Sequence, residues 1–181
     1  MEKKKKKRGR RAHLDDFKKN FRGEWVYTGC HYSLVGQSVK ADIRRSIALF
    51  HTGILVTALL PECLPAVEMS DCIWAVLPWV LQAVSVFLTL WTAVRLIFAG
   101  TRVRAYVYER TVPVLPRRLM LTVLTAALAF ILESLYLMLN GVGSKPFFSA
   151  ARPVLSLVCA VTALFARKSF LSYTWEKEDQ K

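Results

Sequence analysis

LMLTVLTAALAFILESLYLML, residues 119–139, decides the fold. It carries one ionisable side chain, Glu133, and neither proline nor glycine to break a helix. At a helical rise of about 1.5 Å per residue it reaches about 30 Å, the thickness of a bilayer's hydrocarbon core. A soluble helix shows an apolar stripe with charge around the rest of the wheel, not an apolar cylinder. Arg117 and Arg118 stand directly before the stretch, and Asn140-Gly141 makes a natural stop after it.

Three further segments share this texture: 46–66, 73–98 and 147–166. The first is strongly apolar only from Ser46 to Leu60, and it reaches the required length of about 20 residues only with Pro61 and its successors included. Arg152 and Pro153 blur the start of the last. The 181 residues are 54% hydrophobic, and the charged 22% is gathered at the two ends and in one internal segment. The sequence therefore predicts an all-α membrane protein, a four-transmembrane-helix bundle.

Charges between the apolar segments set the orientation. Arg44 and Arg45 precede the first, while the link from Pro61 to Asp71 holds Glu62, Glu68 and Asp71 and no Lys or Arg. Six arginines, from Arg95 to Arg118, cluster around the second connection, whereas the third holds only Lys145. Arg167 and Lys168 close the last segment. Basic and non-basic connections alternate, which under the positive-inside rule puts both termini in the cytoplasm. The expected organisation is a basic cytoplasmic segment over 1–45, a transmembrane domain over 46–166 and a polar cytoplasmic tail over 167–181.

A net charge of +13 first suggests nucleic acid. Beside four apolar segments, the run Lys3, Lys4, Lys5, Lys6, Lys7, Arg8, Arg10 and Arg11 reads instead as a contact to anionic lipid headgroups. The residues after it, including Asp15, Asp16, Lys18 and Lys19, are not the apolar stretch of a secretory signal. Leu14, Phe17 and Phe21 fall on one helical face, predicting a short amphipathic helix over 12–21 lying in the membrane interface. Trp25, Val26, Tyr27 and Tyr32 favour strand, and Thr28-Gly29 offers a turn for a small β-hairpin. The segment 100–116 reads as an extension of the second helix until Pro113 and Pro116 break it.

Ionisable groups inside a bilayer are costly, so each is a candidate for function. Glu133 and Arg152 fall on neighbouring helices of an expected hairpin, where they could pair. His51, in the first segment, lies about 10 Å from the depth of Glu133 by the helical rise. Thr122, Ala126 and Ala129, with Ser156, Ala160 and Ala163, offer small-residue faces for close helix packing. Cys63 and Cys72 flank the Pro61–Asp71 link and could form a disulfide across it. Cys30-His31 is too small a set for zinc, and Cys159 reads as a buried small hydrophobe.

No phosphate-binding glycine loop, HExxH or GxSxG motif occurs, and no extramembrane segment is long enough for a soluble active site. Small multidrug exporters and quinone-linked thiol oxidases also have four helices. The first-helix glutamate of the one and the CxxC pairs of the other are missing here. No cofactor or metal is expected. The leading expectation is a non-enzymatic accessory or interaction subunit of a bacterial plasma membrane, with the bilayer, a membrane protein or a second copy as partner. The alternative is a small oligomeric transporter or channel using Glu133. A membrane-embedded thiol enzyme using Cys63 and Cys72 comes third.

Overall fold

A computed structural model describes residues 17–35, 37–64, 71–100 and 102–178. The lysine and arginine run from Lys3 to Arg11 and its lipid contact lie outside these residues, as does residue 12–16 of the expected amphipathic helix.

Four long helices make the body of the protein. They are α1 (Gln37–Cys63), α2 (Ile73–Ala99), α4 (Leu115–Asn140) and α5 (Pro146–Leu171), and each is long and apolar enough to cross a membrane. A short helix, α3 (Ala105–Thr111), precedes α4. All four expected segments are present. α1 begins nine residues earlier and α5 runs five residues further than the apolar residues alone indicate, because helix continues past the apolar run into polar residues such as Arg44, Arg45, Lys168 and Ser169. Gly141, at φ +79°, ends α4 where Asn140-Gly141 predicted a stop.

The bundle buries many small and polar residues, among them Ala58, Ala93, Ala126, Ala129, Ala160 and Ala163, with Ser85, Thr89, Thr122 and Ser156, alongside larger ones such as Ile54, Val86, Leu115 and Leu119. Large apolar side chains such as Leu49, Phe87, Trp91, Leu124, Ile131 and Phe165 point outward. In lipid, packing rather than water exclusion drives helix association, and small residues let the backbones approach. The predicted small faces of α4 and α5 are buried, and these two helices form the most extensively packed pair.

Two small sheets cap the end at which the chain enters and leaves the bundle. The first pairs β1 (Phe17–Lys19) with β2 (Trp25–Tyr27), with Phe17 opposite Tyr27. This corrects the amphipathic helix, at least over Phe17–Lys19. Asn20 is the cause: its side-chain oxygen accepts from the N–H groups of Arg22 (2.9 Å) and Glu24 (3.0 Å), and Gly23 sits at φ +80°. That turn chemistry overrides the i, i+3, i+7 pattern and leaves Phe21 fully exposed. The hairpin expected around Thr28-Gly29 is likewise corrected, since its two arms pair with other strands.

The second sheet has the order β4–β3–β5, formed by β3 (His31–Leu34), β4 (Arg102–Arg104) and β5 (Trp175–Glu178), all antiparallel. Here too the sequence expectation is corrected. α2 does not run on to Pro113; it stops at Gly100, whose φ is +85°, and the alternating Arg102-Val103-Arg104 becomes a strand. The tail expected to be merely polar supplies β5. Leu34 and Val103 turn toward the bundle and join its core, while Arg102 and Glu178 form an ion pair of 2.8 Å on the open face.

Candidate functional sites in the bundle and at its sheet end

The buried stripe of α4 passes through Leu119, Thr122, Ala126, Ala129 and Glu133. Glu133 thus lies on the face that packs against α2 and α5, about 10 Å from the helix end at Asn140. Its exposure is 0%. A carboxyl so placed belongs to the interior of one chain, not to a surface that copies of the chain could share.

Around it three other helices contribute polar groups. Ser156 of α5 donates its hydroxyl to Glu133 Oε2 at 3.0 Å, and the same hydroxyl lies 3.5 Å from Gln82 Oε1 of α2. Arg152 of α5, also fully buried, forms an ion pair through Nη2 with Oε1 of Glu62 at the end of α1. The two buried groups expected to pair, Glu133 and Arg152, lie close enough for their charges to interact, while the salt bridge that Arg152 forms among the described residues is to Glu62. Helical rise gives the depth of a residue but not the direction it faces. Glu62, counted with the loop, is in fact on the last turn of α1. Within the cluster, Glu133 Oε1 and Gln82 Nε2 are buried without a hydrogen-bond partner among the described residues.

Below this cluster a hydroxyl ladder joins α2 to α4. Ser85 meets Thr125 at 2.8 Å and Thr89 meets Thr122 at 3.0 Å. Arg118 donates to the Leu88 carbonyl at 2.6 Å and to the Thr92 hydroxyl. These contacts satisfy polar groups between the two helices and fix their relative rotation, with no reactive geometry among them.

His51 takes no part in either arrangement. Its Nδ1–H donates to the Ile47 carbonyl at 2.7 Å, and its ring borders a small cavity near Phe50, Leu115, Leu119, Phe170 and Tyr173. Nε2 is buried without a partner among the described residues. Cys63 and Cys72 are free thiols, so the loop-closing disulfide is not formed. Among the described residues no three His, Cys, Asp or Glu side chains gather as a metal centre.

At the sheet end the aromatic residues form a connected platform. Tyr32 stacks on Tyr108 at 3.9 Å and 8°, and Trp175 meets Tyr108 edge-on at 6.0 Å. Arg104 lies over both Phe17 (5.8 Å) and Tyr27 (5.4 Å), tying the first sheet to the second. His31 is held below its ordinary value of 6.5 by burial and then by the charges of Arg102 and Arg104, with Glu178 opposing them.

Sequence reasoning singled out Glu133 and Arg152 but missed Gln82 and Glu62 as members of their cluster. Gln82 had a signal, being the one side-chain amide in its apolar segment. No family model, curated protein or solved structure matches the chain.

Proposed function

We propose that the chain is a non-enzymatic accessory or interaction subunit of a membrane, crossing it four times with both termini in the cytoplasm. The observation that supports this reading most is the sheet β4–β3–β5. Three segments far apart in sequence, each on the basic side by the charge alternation, are knitted into one rigid surface over the bundle. Its outer strands each keep an edge unpaired among the described residues, and an open edge is a template for a partner strand. The setting we assign is a bacterial plasma membrane, where the basic end meets anionic headgroups.

Photo-crosslinking residues at Arg102 and Glu176, both exposed, test this in intact membranes. Both positions are expected to trap one discrete protein, and the same complex is expected to survive mild detergent. A lone monomer with no adduct from either position would sink the reading.

A second reading, solute transport within a single bundle, is favoured by the open polar atoms of Glu133 and Gln82. It predicts that Glu133→Gln abolishes a transport phenotype at unchanged expression. Lower protein yield alone would make Glu133 structural.

A further inference from the structure

Two ionisable side chains, Glu133 and Arg152, are fully buried in the loop half of the bundle. Arg152 is matched by Glu62, and Glu133 makes no ion pair among the described residues. Glu62 keeps 29% of its side chain exposed at the loop end, so the carboxyl that is buried without a salt bridge among the described residues is that of Glu133. The charged groups facing Glu133 from the packed helices are these two, Arg152 on α5 and Glu62 on α1. α2 brings Gln82 to the neighbourhood, and the next turn of α4 itself carries Tyr136. Arg152 acts on Glu133 through its charge without forming a salt bridge to it, and an ionised carboxylate in hydrocarbon is costly.

The hydrogen bonding is unbalanced at the same point. Glu133 Oε2 is occupied by Ser156, while Oε1 is open and Gln82 Nε2 is an open donor. Both head groups rest against the one Ser156 hydroxyl, at 3.0 and 3.5 Å. A proton on Oε1 neutralises this buried carboxyl. A water between Oε1 and Nε2 then accepts from both, and it donates to Oε1 once the proton has left. We propose that Glu133 is an exchangeable proton site, taking its proton from the aqueous phase at the loop end, with Ser156 and Gln82 as its hydrogen-bonding partners. The proposal deepens the second reading above by naming the coupling ion, yet it requires no solute to move.

The test is modification of the wild-type full-length chain in membranes by dicyclohexylcarbodiimide, which reacts with protonated carboxyls shielded from water, followed by peptide mass mapping. Glu133 is expected to be modified, with the yield falling as pH is raised from about 5 to about 9 through its titration. In Ser156→Ala the carboxylate loses a hydrogen bond that favours its ionised form, so labelling should persist to higher pH. Labelling of Glu62 in place of Glu133, labelling indifferent to pH, or no labelling at any pH would overturn the proposal. Protection by sodium at fixed pH would overturn it too, by making the occupant a metal ion. Failure of the transport test leaves these outcomes unaffected, so the two can be told apart.

Discussion

Glu62 and Ser85 both make interhelical polar contacts, but the consequences of losing them differ widely. Glu62→Ala takes a carboxylate from a fully buried guanidinium; since the glutamate itself stays 29% exposed, the loss is expected to fall below the figure of about 3–5 kcal/mol for a pair buried on both sides. Ser85→Ala removes a hydroxyl contact whose like in membrane bundles averages about 0.6 kcal/mol. Thermal unfolding in detergent is expected to show the larger loss for Glu62→Ala and a marginal one for Ser85→Ala. Equal effects would mean that the ion pair does not hold the loop end together. At this scale the sequence was half legible. An ionisable residue in an apolar run announces itself, as Glu133 and Arg152 did. Its partner does not, because the angle at which a helix is rotated is set by packing on its two neighbours.

Among the elements, the four long helices were legible because twenty or so apolar residues have few alternatives, on the order of 30 Å of hydrocarbon being theirs to fill. The strands were not. β3 pairs with segments about 70 and 140 residues away in sequence, and such pairing leaves no local trace beyond β-favouring residues and alternation. Asn20 and Gly23 did carry a local signal for the first hairpin, one outvoted by three apolar residues at helical spacing. The second sheet makes a pH prediction through His31. Its value is depressed in the folded state, so the unfolded chain binds the proton more readily. The stability His31 lends is present above about 6.5 and is lost as pH falls below that value. Amide protection factors of Tyr32 to Leu34 should therefore fall between neutral and mildly acidic pH while those of α4 hold. Protection unchanged or raised by acid would contradict this placement of His31 among Arg102 and Arg104.

For the whole molecule, burial and charge point the same way. Small and polar residues share the interior with larger apolar ones, many large apolar side chains cover the outside, and the basic connections gather at the sheet end. That distribution suits a bilayer around the bundle and an aqueous, cytoplasmic environment for the sheets. It is the claim on which the interaction surface and the route of a proton to Glu133 both depend. Cysteine accessibility tests it most directly. Cys63 is exposed and Cys72 half-buried at the loop end, Cys30 lies beside β3 at the sheet end, and all are free thiols. In intact cells an impermeant maleimide is expected to label Cys63 and Cys72 without prior reduction, and to reach Cys30 only after the membrane is opened. Labelling of Cys30 in intact cells, with Cys63 and Cys72 protected, would invert the topology and contradict the account.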